Sequence, residues 1–402
     1  MSGSFRLRAE MNDIAEAPGK VWFWELAGAV IDADRCVRCG ACVAACPSDS
    51  IGVGKAGLPE LVRMCTGCSL CWDFCPRGGL RYEATWLEAG DGTGIITGDD
   101  LGTGLGVVDA AHTVRVAGGL RGAQDGGAVS AILVAALESG EIDGALLARS
   151  DPEIPWKAVP FLARTAAEVV ACAGSFYNQT MALGALDIDR VGLEPDSRIA
   201  LVGTPCEIQG IRALQARPWR RGRSRVDAVV LTIALMCTKS FDYEGLMRRE
   251  LGEQRGIPPT TVGKVDINHG KLLVWDTEGR PVVDEPIKAF HGAALKGCEE
   301  CADFLGRGAD ISVGSVGSED GWSSVLVRTE IGAKAFQRAR DRLEVRDLDR
   351  PVALERLDGI DKKAALASLR RDLDPSRPLF VDFEEHLAAY ERSERAPVID
   401  WR

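Results

Sequence analysis

The apolar pattern from about residue 107 onward is that of an α/β domain. GGAVSAILVAALESG has the spacing of a helix and ends in a Gly suited to a C-cap. IDGALLA, SRIALVGTP and VDAVVLTIALMC are short apolar runs bounded by Gly, Pro or polar residues, which predicts buried strands. KLLVWDTEGRPVVDE alternates apolar and polar positions around a turn at Asp276 to Arg280, which predicts a hairpin.

The rest of the chain divides by composition. Trp22, Phe23 and Trp24 lie in an N-terminal extension, where they pack on the protein itself or dock a partner. A Gly-rich stretch has the composition of a flexible linker, and the last 55 residues or so, rich in Arg, Asp, Glu, Leu and Ala, suggest exposed helices. The predicted segments are 1–27 (extension), 28–88 (cysteine-rich domain), 89–106 (linker), 107–345 (α/β domain) and 346–402 (helical tail).

The lengths of the apolar runs and the net charge limit where the protein is expected to act and which partners it is expected to bind. The longest apolar run, around Ala228 to Cys237, is roughly half of the about 20 residues of a membrane span. The first residues resemble no secretion signal, so we expect a cytoplasmic protein that is at most peripheral to a membrane through a partner. A formal charge of -11 over 402 residues excludes a broad basic surface, so nucleic acid is not an expected partner.

Thirteen cysteines are the main compositional feature, because a cytosolic chain gains little from disulfides. CVRCGACVAACP and CTGCSLCWDFCP both match C-x2-C-x2-C-x3-C-P, the run that surrounds a [4Fe–4S] cube and sends its fourth cysteine to the other cluster. The expected ligands are Cys36, Cys39, Cys42 and Cys75 for one cluster, and Cys65, Cys68, Cys71 and Cys46 for the second. Structural zinc is the alternative, but it does not predict a duplicated run that ends in Pro.

Five cysteines lie beyond the linker. Cys206 and Cys237 follow predicted strands, and Cys298 and Cys301 form a C-x2-C pair. Strand ends in an α/β fold converge on one side of the sheet, so these four thiolates suffice for a third [4Fe–4S] cluster. Buried cysteines in the core are the alternative for Cys206 and Cys237, and the residues alone leave both open. Cys172 is left over, and we expect it in the core.

Five segments in this second part resemble the beta subunits of coenzyme F420 hydrogenases and dehydrogenases. They run from about Val107 to Glu330 and are AQDGGAVSAILVAALESGEIDGALLA, ACAGSFYN, VGTPCEIQGIRAL, IALMCTKSF and GCEECADFLGRGADISVGSVGSEDGWSSVLVRTE. With the cysteine-rich domain in front, the chain is most similar to the F420-oxidising subunit of complex-I-like dehydrogenases.

The resemblance implies an α+β ferredoxin-like two-cluster module followed by an α/β flavin and iron–sulfur domain with a helical C-terminal tail. It implies that the second domain binds FAD and that Cys206, Cys237, Cys298 and Cys301 hold a third [4Fe–4S] cluster. No G-x-G-x-x-G opens a helix, so NAD binding has no support. The expected flavin contacts are Gln124, Gly126, Gly127 and Ser130, then Ser175, Tyr177, Asn178, Thr204 and Gln209. A plain turn before a helix is the alternative for Gln124 to Gly127.

The implied activity is electron transfer between coenzyme F420 and a redox partner protein or larger complex, in a direction that the sequence does not set. No side chain is assigned a catalytic role, because hydride transfer belongs to the flavin. Phe176 stands where members of the family often carry Lys, which puts the substrate contact in doubt.

Two other functions stay open, namely a ferredoxin-dependent reductase of a tetrapyrrole or other organic substrate and a non-catalytic electron-transfer adapter. The arginines of ARPWRRGRSR form either a solvated loop or a site for the acidic coenzyme or an acidic partner. They are Arg217, Arg220, Arg221, Arg223 and Arg225.

Overall fold

The computed structural model describes residues 21–79, 104–187, 192, 194, 196–216 and 222–372. Most of the predicted linker, the arginines 217, 220 and 221, and the tail from residue 373 lie outside these residues. Within them, the strands in chain order are β1 (Ile51–Val53), β2 (Pro59–Leu61), β3 (Ala110–Val116), β4 (Gly144–Ser150), β5 (Ala158–Ala163), β6 (Ile199–Gly203), β7 (Val229–Leu235), β8 (Val262–Asn268), β9 (Lys271–Asp276), β10 (Pro281–Pro286), β11 (Ile311–Gly314), β12 (Ser323–Val327) and β13 (Leu343–Asp347).

The α-helices of the described residues are fewer. They are α1 (Phe23–Leu26), α2 (Ala41–Ala45), α3 (Leu70–Asp73), α4 (Ala128–Glu138), α5 (Ala166–Ala171), α6 (Pro205–Ala216), α7 (Glu330–Ala339) and α8 (Pro351–Asp372). The helix and the strands predicted from GGAVSAILVAALESG, IDGALLA, SRIALVGTP and VDAVVLTIALMC are confirmed as α4, β4, β6 and β7.

An eight-stranded mixed sheet in the order β13-β3-β12-β11-β7-β6-β4-β5 forms the centre of the second part. Its inner strands β11, β7, β6 and β4 run parallel, and antiparallel strands complete both sides. Both faces are covered, which explains the continuous apolar runs of these strands. β13 spans residue 345, at which the sequence placed the end of this domain.

Alternate residues of the inner strands belong to different cores. Leu147 and Ile233 pack with α4 and α7 on one face, whereas Leu146 and Leu201 pack with α6 on the other. The second core also contains Ala41, Ala44 and Ala45 of the cysteine-rich domain. One face of the sheet is therefore completed by the N-terminal module, which places its cysteines beside the ends of the parallel strands.

The predicted hairpin is confirmed as β9 and β10, and β8 completes a separate antiparallel sheet in the order β10-β9-β8. A π-helical segment, Glu244–Glu253, packs its buried Leu246, Met247 and Leu251 against the hairpin residues Leu272 and Val274.

The cysteine-rich module consists of β1 paired with β2 and of two short helices, α2 and α3, that follow the cysteine loops. The described part of the N-terminal extension packs on it, because Val21, Phe23 and Leu26 share a core with cysteines of both motifs. Trp22 and Trp24 stack with their ring centres 4.8 Å apart. A Cβ at Gly67 would lie 2.7 Å from the Trp22 ring, so the indole lies directly on the second cysteine loop.

Three glycines bring the module and the larger domain into backbone contact. A Cβ at Gly40 would collide with the Gly184 nitrogen, and one at Gly297 would collide with the carbonyl oxygen of Arg35. At Gly210 of α6 an added Cβ would lie 2.9 Å from the Ala41 Cβ. The absence of side chains at these points lets the two parts lie flush.

The tail from Pro351 to Asp372 is helical, as predicted, but the expectation that it is exposed was wrong for one face of α8. Leu354, Asp358, Lys362 and Ala365 are buried, because α8 lies over the loop that carries Cys298 and Cys301. Among the described residues, no helix combines the length and apolarity needed to cross a bilayer.

Candidate iron–sulfur and flavin site

The two cysteine motifs adopt the same local structure. Arg38 and Gly67 stand at equivalent positions, both have positive φ, and each backbone N–H donates to the sulfur of the preceding motif cysteine at 3.4 Å. Gly40 and Ser69 are also equivalent and also have positive φ. Such loops turn amides towards sulfur, which is the arrangement that stabilises cluster thiolates.

The fourth cysteine of each motif lies with the other motif. Burial raises the pKa of the Cys42 thiol, and Cys36 and Cys75 raise it further. Burial also raises the pKa of Cys68, to which Cys46 adds. Cys46, Cys65, Cys68 and Cys71 line one cavity with Val21 and Ile51. This placement fits the crossed ligand sets expected from the sequence.

The remaining cysteines, apart from Cys172, lie near the carboxyl ends of β6 and β7. Cys206 lies at the start of α6, and the backbone N–H of Cys237 donates to the Phe304 carbonyl at 3.1 Å. Burial raises the pKa of Cys237 well above its usual value, and the other three thiols, Cys298, Cys206 and Cys301, add to the shift. The structure therefore brings the four residues into electrostatic contact, as strand-end convergence predicts.

The donor chemistry fits iron–sulfur clusters better than a single ion. In the part of the chain that the structure describes, no three His, Cys, Asp or Glu side chains converge closely enough to hold one metal ion. A zinc ion requires sulfur atoms about 2.3 Å from one centre, whereas a cube binds each thiolate at a different iron. Buried thiols that oppose each other's ionisation need such a cationic partner to exist as thiolates.

Three polar residues lie around Cys206: Thr204, which the sequence named as a flavin contact, and Gln179 and Glu207, which it did not single out. Gln179 Nε2 donates to Thr204 Oγ1 at 3.0 Å and lies 3.8 Å from the Cys206 sulfur. Thr204 Oγ1 is 3.2 Å from the same sulfur. Glu207 is buried beside it, and burial raises the pKa of this carboxyl to about 7 despite the hydrogen bonds from Thr204 and Ala182. Thr204, which the sequence named as a flavin contact, therefore lies next to Cys206.

The glycines of the Gln124 turn are explained by packing. A Cβ at Gly126 would collide with the Val114 carbonyl oxygen, and its N–H donates to Ser323 Oγ at 3.1 Å. Gly127 has φ +76° as the N-cap of α4, and Ser130 is buried one turn further. Gln124 Nε2 donates to the Val265 carbonyl at 3.3 Å. These contacts agree with the alternative of a plain turn before a helix.

Asp125, in the same turn, lies among charged groups. Burial, with Asp266 and Asp320 nearby, raises the pKa of the Asp125 carboxyl to about 6, although Lys264 opposes the shift. Lys264 Nζ donates to the Gln124 carbonyl at 3.2 Å and lies 3.5 Å from Asp266. Sequence reasoning missed this group, because Lys264 and Asp266 belong to a distant strand, β8.

The segment from Ser175 to Gln179 connects strand β8 to the third cysteine set. Tyr177 Oη accepts from the Ile267 N–H at 3.0 Å on β8, and the Tyr177 carbonyl accepts from Ser240 Oγ at 3.1 Å. Ser240 N–H in turn donates to the Cys298 sulfur at 3.4 Å. Gln124 and Tyr177 thus both contact β8, and Tyr177 connects β8 to the third cysteine set. Ser175 and Gln209 are half-buried.

A cavity adjoins this segment and is lined by aromatic and apolar side chains, including Tyr177, Asn178, Trp156 and Phe241. Its enclosed space has room for about one water molecule, far less than a small-molecule pocket offers. Phe176 packs edge-on against Trp156 with ring centres 5.9 Å apart. The cavity alone does not accommodate a dinucleotide.

The other residues that the sequence singled out, Cys172 and the described arginines of ARPWRRGRSR, contact the protein itself. Cys172 is half-buried at the C-terminus of α5 and packs against the core, so the expected core position is met only in part. Arg223 is one of the two described arginines of ARPWRRGRSR. Its N–H donates to Asp49 at 3.0 Å on the ferredoxin module, and its guanidinium lies 3.9 Å from the same carboxylate. Arg225 Nη1 donates to the Glu194 carbonyl at 3.4 Å. These two arginines contact the protein itself.

Sequence comparisons match three ranges of the chain to known families. Residues 111–187 and 196–351 match the N-terminal and C-terminal parts of "Coenzyme F420 hydrogenase/dehydrogenase, beta subunit", and residues 29–81 match "4Fe-4S dicluster domain". A subunit of the F(420)H(2) dehydrogenase of Methanosarcina mazei is 32% identical over 336 residues, covering 80% of this chain and 87% of the relative.

Other relatives share parts of the same arrangement. A coenzyme F420 hydrogenase subunit beta of Methanothermobacter thermautotrophicus is 36% identical, over 60% of this chain and 82% of its own. A coenzyme F420-dependent sulfite reductase of Methanocaldococcus jannaschii is 32% identical over 77% of this chain, which spans only 46% of that relative. A chain of the F420-reducing [NiFe] hydrogenase complex of Methanosarcina barkeri superposes with a TM-score of 0.62 at 28% identity, covering 66% of this chain and 93% of that one.

Proposed function

This chain belongs to the coenzyme F420 hydrogenase/dehydrogenase beta subunit family, and we propose that it transfers electrons between coenzyme F420 and a redox partner protein or larger complex through FAD and three [4Fe–4S] clusters. The observation that carries the proposal is that two cysteine sets from distant parts of the sequence adjoin. Cys39 and Cys206 are buried in one core, and the Cys206 charge raises the pKa of Cys39 further after burial.

The cysteines supply twelve thiolates in three sets. Cys36, Cys39, Cys42 and Cys75 would hold an inner ferredoxin cluster, and Cys46, Cys65, Cys68 and Cys71 an outer one. Cys206, Cys237, Cys298 and Cys301 would hold the third, which lies next to the inner cluster. Cys65 and Cys68 are half-buried, whereas Cys46 and Cys71 are buried. The outer set is thus the side at which a partner protein would exchange electrons.

FAD is part of the proposal because of the family resemblance. When bound, FAD would exchange hydride with the coenzyme and single electrons with an iron–sulfur cluster. The residues to test for its binding are those around the turn and the bridging segment: Gln124, Gly126, Gly127, Ser130, Ser175, Tyr177, Asn178, Thr204 and Gln209. Their support is the path by which Tyr177 links β8 to Ser240 and Cys298.

Cofactor analysis of the protein purified without oxygen tests the proposal directly. We expect about twelve irons, a similar amount of sulfide and one FAD per chain. Addition of reduced F420 should then reduce the clusters, as followed by loss of visible absorbance and by electron paramagnetic resonance (EPR). Four or eight irons, or zinc in place of iron, would contradict the three-cluster assignment.

The same preparation separates the two competing functions. Bound clusters without flavin, and without any reaction with F420, would indicate a non-catalytic adapter. Turnover of a chlorin with reduced ferredoxin, in a sample inert to F420, would indicate a tetrapyrrole reductase. Either result would overturn the proposed substrate while leaving the cluster assignment intact.

A further inference from the structure

Arg77 lies between the inner ferredoxin cysteines and the third cysteine set. It follows Cys75 and Pro76 in the sequence, and its side chain is only 2% exposed. Nε donates to the Gly297 carbonyl at 2.5 Å, and Nη1 donates to the Pro76 carbonyl at 2.6 Å. The side chain therefore extends from the ferredoxin module into the loop that carries Cys298 and Cys301.

Arg77 makes contacts at both cysteine sets. The Arg77 backbone N–H donates to the Cys75 sulfur at 3.4 Å. The guanidinium of the same residue contacts Gly297, which directly precedes Cys298. Arg77 thus lies at the boundary between module and domain, beside both sets.

A second arginine and a carboxylate complete the buried group. Arg35 Nε and Nη2 donate to the two oxygens of Glu300 at 2.6 and 2.8 Å, and Arg35 Nη2 also donates to the Arg77 carbonyl at 3.2 Å. Arg35 and Glu300 are 8% and 9% exposed. Arg77 itself is 2% exposed, and burying a guanidinium costs free energy unless anions lie nearby.

Iron–sulfur clusters with four thiolate ligands are such anions, and reduction makes each one more negative. We propose that Arg77 is a positioning residue that joins the ferredoxin module to the Cys298–Cys301 loop and favours the reduced state of both clusters beside it. The inference rests on the proposed function, because it requires the inner and third clusters. In each reduction one electron enters a cluster, and no bond to Arg77 forms or breaks.

The test is a potentiometric titration of the anaerobically purified full-length protein with dithionite, followed by EPR. In R77Q, the ratio of reduced to oxidised cluster at a fixed potential should fall about tenfold for the inner and third clusters, which is about 59 mV for a one-electron couple. The outer cluster should keep its potential, and R77K should restore most of the shift because it keeps the charge.

A second variant predicts a change of opposite sign. E300Q removes the anion from the same buried group and should raise the reduced fraction of the third cluster at the same potential. R63Q is the matched control, because it also removes one arginine charge from the ferredoxin module, but at an exposed position. Solvent screens such a charge, so the inner and third clusters should be unchanged.

The outcomes separate the two proposals. A wild-type protein with fewer than three clusters would overturn the proposed function. Three clusters whose potentials are the same in wild type, R77Q and E300Q would overturn the role of Arg77 alone. An equal shift of all three clusters in R77Q would also overturn it, since a general loosening has no directional effect. If R77Q fails to retain iron, E300Q decides: a raised reduced fraction supports the role, and no change rejects it.

Discussion

The backbone of Gly297 lies against that of Arg35, so close that a Cβ at position 297 would overlap the Arg35 carbonyl oxygen. The same glycine accepts the hydrogen bond from Arg77 Nε. G297A should therefore displace the loop that carries Cys298 from the ferredoxin module and lower the free energy of unfolding by about 1–3 kcal/mol, the usual cost of overpacking. Thermal unfolding of the iron-loaded protein, followed by circular dichroism without oxygen, measures the effect.

G292A is the matched control for this substitution. Gly292 lies five positions earlier in the chain, and nothing stands within 4 Å of its Cβ position. Its unfolding midpoint should stay close to that of the wild type. Equal midpoints for G297A and the wild type would show that the loop adapts, and would remove the contact as a determinant of the interface.

Substitution of Cys206 should remove one cluster. C206A should lower the iron content by about four per chain, because a cube that loses one thiolate at a buried site is not retained. C172A is the control, since Cys172 is half-buried against the core and distant from the cysteine sets in sequence. Equal iron contents of C206A and C172A would contradict the third cluster.

The stability of the protein should depend on pH through Asp125. The pKa of this carboxyl is raised from 3.8 to about 6, chiefly by burial. Between these values the unfolded state releases a proton that the folded state keeps, so folding loses free energy as the pH rises and the loss is complete above about pH 6. D125N should therefore stabilise the protein at pH 8 by about 1 kcal/mol, allowing for partial solvent exposure.

The gain in D125N should shrink as the pH falls from 6 to 4. Unfolding midpoints of wild type and variant across this range provide the measurement. The exposed Asp341, exchanged for Asn, serves as the control and should give no such pH-dependent difference. A gain for D125N that is the same at pH 4.5 and pH 8 would show that ionisation is not its cause.

Helix α8 should protect the third cysteine set. Asp358 accepts from Arg307 Nη2 at 2.7 Å and lies 3.0 Å from Lys362 Nζ, while Arg307 N–H donates to Asp303, two positions after Cys301. D358N removes the anion that Arg307 and Lys362 share, and losing hydrogen bonds to a charged group costs about 1.5–3 kcal/mol. We expect α8 to detach and an iron chelator to remove about four irons faster.

E355Q provides the comparison for D358N, because it removes an anion from the exposed face of the same helix. Its iron should be lost at the wild-type rate. Equal chelation rates for wild type and D358N would show that the third cluster is protected without α8.

The features that could be predicted from the sequence depend on patterns between residues close together in the chain. The spacing of Cys36 to Cys46 and of Cys65 to Cys75 is a local property, and so is the alternation that gives the β9–β10 hairpin. The Arg35–Glu300 contact joins residues 265 positions apart, and the Arg77–Gly297 contact joins residues 220 apart. A single arginine gives no repeating sequence pattern, so the sequence does not distinguish a buried arginine from a solvent-exposed one.

A weaker signal for these arginines was present, since Arg35 directly precedes the first motif and Arg77 directly follows the second. For the flavin candidates, the sequence could not show that Gly126 is required by packing against Val114. Nor could it show that Lys264 and Asp266 would surround Asp125. The first depends on how the turn packs on β3, and the second on how β8 of the smaller sheet lies beside that turn.

The flush backbone contacts at Gly40, Gly210 and Gly297 leave the ferredoxin module no room to swing. A tethered domain that moves between docking positions transfers electrons more slowly when glycerol raises the viscosity of the medium. In the proposed relay the donor and acceptor sites are therefore fixed relative to each other before the coenzyme binds, so the rate of electron transfer between them should not depend on the viscosity of the medium. Higher viscosity should slow only the diffusional encounters with the coenzyme and with the partner protein.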